Sequence, residues 1–234
     1  MIDFHSHILP QVDDGSESVT QSLEMLKLCA EQGIDTIIAT PHFYRRNESV
    51  KSFIERRNVA FLALEVAASG EGLQGLPKIL LGAEVHFYEG INYHEEIDKL
   101  VIEGSHCLLL EMPFERWNRR IFKEVYSLSN RFRIVIAHVE EYLRYQNEKR
   151  DFYELIEMGA ILQVNTSGFR KLGRRRIVLD LLKMGNGFVL GTDCHNMAER
   201  IPDFSKACEV ITEKLGRERL GQIDLLGRSL LADD

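Results

Sequence analysis

Nine side chains of metal-ligating type stand beside apolar runs spread along the chain: His5, His7, Asp14, His42, Glu84, Glu111, His138, Asp193 and His195. An isolated histidine is more often a surface or core residue than a ligand, so the spacing carries the argument. In MIDFHSHILP two histidines lie two residues apart on a segment that reads as a strand. Alternate side chains of a strand share a face, so both imidazoles can chelate one ion; a helix would not align them. IDTIIATPH ends in His42, PKILLGAEVHF carries Glu84, HCLLLEMPF carries Glu111, RIVIAHVEEY brings His138, and GFVLGTDCH brings Asp193 and His195. Such residues at successive strand ends point to a multinuclear metal site, because the carboxyl ends of parallel barrel strands converge on one face.

The elements that must position them alternate along the chain. A first strand at the N-terminus is followed by predicted strands near 34–40, 78–85, 106–111, 133–138, 160–165 and 187–192. Helices are predicted from a cap at Ser16 or Ser18 to Gly33, then near Ser49 to Ala68, Tyr93 to Glu103, Glu115 to Ser129, Glu140 to Met158, Arg174 to Met184, and Asp203 to Leu215. Strands alternating with helices imply a parallel sheet, and seven units favour a closed or nearly closed barrel over an open doubly wound sheet. Neither a G-x-G-x-x-G nor a P-loop supports the open alternative. Ala68 to Lys78 reads as a connection too short to divide domains.

With 234 residues and 44% hydrophobic composition, the chain has material for one sizeable core and is read as a single domain, 1–234. A net charge of -7 disfavours a nucleic-acid binder. Arg174, Arg175 and Arg176 read as a solvated helix start. No basic leader and no stretch of about 18 apolar residues is visible, so a cytoplasmic protein without a membrane span is expected. Cys29, Cys107, Cys194 and Cys208 have no CxxC spacing and are expected as free thiols.

HSH near the start, TPH, an isolated Glu, an isolated His and a closing TDCH resemble the polymerase and histidinol phosphatase (PHP) superfamily. More narrowly, MIDFHSHILPQVDDGSESVTQSLEML with GIDTIIATPHF resembles the bacterial manganese-dependent protein-tyrosine phosphatases of capsule and exopolysaccharide synthesis. The resemblance runs from Met1 to about Pro202. It implies a distorted seven-stranded (β/α)7 TIM-like barrel with three metal ions at its mouth. His5, His7, Glu84 and Asp193 would hold one ion; Glu84, bridging, would join Glu111 and His138 on a second; Asp14, His42 and His195 would hold the third. Manganese is the metal that the resemblance implies, while the ligand types alone suit manganese, iron or zinc. It also implies that Arg200 contacts phosphate, and that the partner is a phosphotyrosine-bearing protein, a bacterial tyrosine kinase among the candidates. An oligomer is open, since the leucines of LGQIDLLGRSLLADD could dock on the barrel or join subunits.

Phosphomonoester hydrolysis in water is extremely slow, and clustered divalent ions can both stabilise the phosphoryl charge and lower the pKa of a bound water to roughly 7. The expected nucleophile is therefore a metal-bridging hydroxide. Asp13, next to Asp14, reads as a turn residue before Gly15. His86, His94 and His106 lie outside the motif positions, His86 being the candidate exception because it lies two residues after Glu84.

Two positions depart from the resemblance. Glu141 stands where the family reads the arginine of His-Pro-Glu-Arg-Tyr, and Phe43 where it often has another histidine. A carboxylate there would repel phosphate unless Arg144, Arg45 or Arg46 compensates. FERWNRRIF reads either as a rim for an aromatic ester or as a helix start with Trp117 buried. Asn165 and Ser167 could meet substrate or cap a helix. Cys194 and Arg200 satisfy the C-x5-R spacing of thiolate phosphatases, yet the bulky intervening residues argue against such a loop. The leading reading is a phosphotyrosine phosphatase. Alternatives are a phosphoesterase for a small metabolite such as histidinol phosphate, a metal-bound regulator without turnover, and an amidohydrolase lacking a bridging lysine.

Overall fold

The computed structural model describes residues 1–146 and 149–232. Its strands are β1 (Ile2–Ser6), β2 (Thr36–Ala39), β3 (His42–Phe43), β4 (Lys78–Leu81), β5 (Glu84–His86), β6 (Cys107–Glu111), β7 (Arg133–Ile136), β8 (Ile161–Asn165) and β9 (Phe188–Gly191). All paired strands run parallel, as expected for strands separated by helices. They form two sheets, β1-β2-β4 and β3-β5-β6-β7-β8-β9, rather than one seven-stranded closed sheet. The count differs because β3 lies past the second expected strand and the third expected strand is interrupted. Pro41, which has no N–H to donate, separates β2 from β3. The third breaks at Gly82, whose carbonyl accepts from Arg57 Nη1 at 2.8 Å. The outer edges of the two sheets touch: Asp193 N donates to His5 O at 2.7 Å and His7 N to Cys194 O at 2.9 Å.

Helices α1 (Val19–Glu31), α2 (Val50–Gly70), α3 (Arg119–Ser129), α4 (Arg150–Glu157), α5 (Leu172–Leu182), α6 (Ser205–Leu215) and α7 (Arg217–Leu231) fill the connections. Ser18 caps α1 by accepting from Gln21 N, so of the two candidate caps the second is used. The helix expected near Tyr93 to Glu103 is two short 3-10 segments, Ile91–Tyr93 and Glu95–Leu100. That expected from Glu140 to Met158 is a 3-10 turn, Val139–Arg144, then α4; its residues 147 and 148 lie outside the described residues. None of the described helices is long and apolar enough to cross a membrane.

The apolar positions are buried on both faces of the strands, which is why they read as continuous runs rather than alternating ones. One cluster gathers Ile2, Phe4, Ile38, Leu109, Val135 and Val189 from five strands together with Leu230 of α7. The tail thus docks on the strands through Leu230 and Ile223, while Leu225 stays exposed; residues 233 and 234 of that motif lie outside the described residues. A Cβ at Gly227 would stand 2.9 Å from the Phe4 ring, so only glycine lets α7 approach this closely.

A buried carboxylate stitches the two sheet edges together. Asp3 Oδ1 accepts from Thr192 N at 2.8 Å and from His5 N at 3.2 Å, and Oδ2 accepts from Thr192 Oγ1 at 2.5 Å. Burial pushes the Asp3 carboxyl up to about 6 even against these bonds. Asp3→Ala leaves the Thr192 and His5 amides without acceptors in a dry site and should cost about 1–3 kcal/mol. Urea unfolding of the two proteins reads this directly, and equal midpoints would contradict it.

Candidate metal centre

The candidate residues occupy strand ends or the residues just after them, except Asp14 in the loop between β1 and α1, and local backbone geometry aims them. Gly15 packs against the first histidine pair: a Cβ there would lie 2.3 Å from His7 O. This close approach lets the loop after β1 fold back, with Ser16 N donating to His7 O at 3.0 Å. Gly191, where a Cβ would lie 2.6 Å from that of His5, plays the same part at the end of β9. His138 and Asp193 both take positive φ, 30° and 51°. Such backbone is unfavourable for non-glycine residues and, when the surroundings enforce it, tends to mark functional positions.

The structure brings together all nine sequence candidates. His5 Nε2 and His7 Nε2 face each other at 3.1 Å. Glu84 Oε2 is 3.3 Å from both, and Asp193 Oδ1 is 3.6 and 3.5 Å from them. On the other side of Glu84, His138 Nε2 lies 2.8 Å from Glu84 Oε1 and 3.6 Å from Glu111 Oε1. Asp14 Oδ1 lies 3.4 Å from His42 Nε2 and 3.6 Å from His195 Nε2. The three groups overlap more than the expected partition: donor atoms of His7, Asp14, His42 and His195 all lie within 4.8 Å of one another, as do those of His42, Glu84 and Glu111.

This donor set fits a divalent cation. The Nδ1 atoms of His5 and His7 face oxygen acceptors, Gln163 Oε1 at 3.0 Å and Asp13 Oδ2 at 2.7 Å. With Nδ1 donating in each, Nε2 is the nitrogen left to meet a metal, and a bound ion would take the place of a proton there. Two imidazole nitrogens and two carboxylate oxygens then face one another, an arrangement that needs positive charge between them, either from protons on the imidazoles or from a cation that displaces them. An ion with bonds of about 2.0–2.2 Å holds neighbouring donors roughly 3–3.5 Å apart, matching these spacings. His42 Nδ1 and Glu84 Oε2 point the same way: they approach to 2.8 Å yet fall short of hydrogen-bond geometry.

The electrostatics agree. Burial alone would depress the His7 imidazolium, but Asp13 and Glu84 outweigh it and lift it to about 9. At His42 burial is likewise outweighed, by Asp14 and Glu84, and the value rises to about 11. Burial would raise Glu84, yet His5, His138 and His42 hold it well below the usual carboxylate range. Asp13 is held at about 2, its burial offset by His7. The carboxylates stay ionised and attract positive charge inside a dry cluster.

Several residues matter that spacing did not single out. Asp13, expected as a turn residue, orients His7 and accepts from His42 N at 2.9 Å. Its turn role is real too, since Gly15 N donates to its Oδ1. Gln163 Oε1 also accepts from His138 N at 2.7 Å, Gln163 Nε2 donates to Asn165 Oδ1, and Asn165 Nδ2 donates to Asp193 Oδ2, both at 2.8 Å. A glutamine inside the apolar run ILQVN was the available signal. His86, the candidate exception, holds Glu111 Oε2 through Nδ1 at 2.7 Å, whereas His94 pairs with Tyr88 instead.

The cluster floors a cavity of about 1100 Å³ whose walls include Tyr44, Phe114, Ser167, Arg144, Lys171, Arg174 and Arg200. Trp117 is buried, with Nε1 donating to Pro113 O, while Phe114 is 40% exposed and stacks on the His138 ring at 5.7 Å. Within FERWNRRIF, Trp117 is thus the buried residue before α3, and Phe114 lines the cavity. Arg200 reaches the cluster through Asp193 Oδ1 at 2.6 Å and His195 Nε2 at 2.8 Å. Cys194 is fully buried, and its surroundings push the thiol far up, the reverse of what a thiolate nucleophile needs. Arg174 is exposed near the start of α5, as expected of a solvated helix start, and its Nη1 also pairs at 2.7 Å with Glu141 Oε1, the carboxylate that departs from the family pattern. Of the three arginines considered as compensation, Arg144 lines the cavity and Arg45 and Arg46 do not.

Comparison with known proteins agrees with this geometry. The tyrosine-protein phosphatase CpsB of Streptococcus agalactiae is 26% identical over 242 residues, spanning 95% of this chain and 94% of that protein. The tyrosine-protein phosphatase YwqE of Bacillus subtilis is 27% identical over 230 residues, spanning 93% and 86%. A solved structure from work on YwqE of Bacillus subtilis and CpsB of Streptococcus pneumoniae, described as unique metal-dependent tyrosine phosphatases, superposes with a TM-score of 0.82 at 27% identity, covering 99% of this chain and 94% of that one. The family model described as capsular polysaccharide synthesis, CpsB/CapC, matches residues 1–227, and the chain belongs to that family.

Proposed function

We propose that this chain is a metal-dependent phosphomonoester hydrolase that removes phosphate from tyrosine in a protein partner, a bacterial tyrosine kinase of capsular or exopolysaccharide synthesis being the leading candidate. The observation that carries this reading is the convergence of His5 Nε2, His7 Nε2, Glu84 Oε2 and Asp193 Oδ1 at 3.1–3.6 Å. These four residues are assigned to one ion, Glu84 with Glu111 and His138 to a second, and Asp14, His42 and His195 to a third, with manganese as the proposed metal. The two sheets are taken together as one distorted barrel and the chain as one domain, its site at the carboxyl ends of the strands. Bound divalent ions would supply charge stabilisation for the phosphoryl oxygens and an activated water.

The chain's own residues do the remainder. Asp13 and Gln163 fix the tautomers and ring planes of His7 and His5, keeping Nε2 aimed inward. Arg200, with 44% of its side chain exposed beside Asp193, offers a fork of N–H groups that matches phosphate oxygens. Phe114 and Tyr44 give the phenyl ring of the substrate an aromatic wall. The phenolate leaving group has a pKa of about 10, so departure asks chiefly for charge stabilisation. The Arg174 pair removes the repulsion at Glu141 that favoured a small-metabolite substrate, and the cavity is larger than one small ester needs.

Chelator-stripped protein should lose hydrolysis of both para-nitrophenyl phosphate and a phosphotyrosyl peptide, and manganese should restore both. His5→Ala should stay inactive after the same reloading; activity in the stripped protein would sink the metal assignment. Arg200→Ala should lower kcat/KM roughly 100-fold, whereas Cys194→Ser should stay within about twofold of the parent, and the reverse pattern would favour a thiolate mechanism. Asp13→Ala should weaken manganese binding about 10- to 100-fold, measured by metal titration, with unchanged affinity marking Asp13 as a turn residue alone.

A further inference from the structure

The cavity extends well beyond the cluster on its floor. Its volume of about 1100 Å³ exceeds the roughly 300–1,000 Å³ typical of sites for small molecules. One side of it is built from the 3-10 turn Val139–Arg144 and the start of α5, and it is strongly cationic in a chain of net charge -7. Three lining arginines each already meet one carboxylate: Arg170 with Asp203 at 3.2 Å, Arg174 with Glu141 at 2.7 Å and Arg200 with Asp193 at 2.6 Å. Arg144 and Lys171 are exposed, line the same cavity, and among the described residues have no carboxylate within 4.0 Å. Of the acidic lining residues, Glu84, Glu111 and Asp193 belong to the cluster on the floor, Glu141 pairs with Arg174, and Glu199 lies in the turn before Arg200, a different element from Arg144 or Lys171. Leu172, adjacent to Lys171, is 79% exposed and offers an apolar contact on the same turn of helix.

We propose that Arg144 and Lys171, with Arg174 held in place by Glu141, form a second anion-binding wall that engages a carboxylate or a further phosphate on the same peptide as the scissile phosphotyrosine. This deepens the phosphotyrosine reading and rests on it. Glu141 engages only Nη1 of Arg174, so the rest of that guanidinium fork faces a peptide already oriented. Positive charge on one wall speeds encounter with an acidic segment and selects it over a neutral one, an effect that salt weakens. The preferred substrate is therefore a phosphotyrosyl peptide with acidic residues, or a second phosphotyrosine, a few positions away.

The test uses the manganese-loaded full chain and three phosphotyrosyl peptides of equal length: one neutral, one with two aspartates beside the phosphotyrosine, and one with a second phosphotyrosine. Hydrolysis is followed by kcat/KM and binding by fluorescence anisotropy, so that binding is read whether or not turnover occurs. The parent should favour the anionic peptides roughly three- to tenfold at low salt through KM. In Arg144→Ala/Lys171→Ala that ratio should collapse towards one. Preference for the doubly phosphorylated peptide alone would assign the wall to phosphate, and equal preference to any anion. Hydrolysis of all three peptides without preference, or a preference that survives the double substitution, overturns the wall and leaves the phosphatase reading standing. Absence of turnover for every phosphotyrosyl peptide overturns the phosphatase reading and this substrate assignment with it.

Discussion

Ionised carboxylates in a dry interior must be matched by positive charge, and Glu84 is where this constraint bears hardest. Both of its oxygens are engaged by imidazoles, Oε1 by His138 at 2.8 Å and Oε2 by His5 and His7 at 3.3 Å, in a side chain almost wholly removed from water. Leaving such a group uncompensated would cost several kcal/mol. The surroundings instead hold it ionised among imidazoles, a combination that calls for positive charge, supplied by protons on the rings or by a divalent cation that displaces them.

Everything around the cluster serves to keep these donors from relaxing apart. Asp13, Gln163 and Asn165 lock ring planes and carboxylate orientations through bonds of 2.7–3.0 Å. Gly15 and Gly191 permit backbone approaches that any Cβ would block. Asp3 ties β1 to the residue after β9, so that His5 and Asp193, nearly the whole chain apart, stay in contact. The parallel strands supply the rigid frame, because side chains at their ends can diverge only if the ladders break.

Legibility in the sequence tracked how local the physics was. His5 and His7 declared themselves because period-two spacing on a strand is a short-range property. The apolar runs that became strands were equally plain, as were α2 and α5 to within a few residues. The interruptions at Pro41 and Gly82 were harder to foresee, since each reflects a local break in pairing rather than a change in hydrophobic pattern. The 3-10 turns at Glu95–Leu100 and Val139–Arg144 have helical apolar spacing without the length to sustain an α-helix. Gln163 escaped because its partners His5 and His138 lie far along the chain, and Asp13 because only the folded loop turns it back onto His7.

By itself the sequence determined the kind of chemistry, since imidazoles and carboxylates without thiolates select hard or borderline divalent ions, and it determined the alternation of strands and helices, since burial on both faces demands continuous apolar runs. The tertiary structure alone decided which donors share a centre, that Glu141 is neutralised by Arg174, that Phe114 rather than Trp117 faces the cavity, and that Cys194 is sealed from it. Those outcomes depend on distances of a few ångströms between residues separated by tens of positions. Coulomb energy and hydrogen bonding vary steeply over just that range, and residue spacing along the chain carries no record of it.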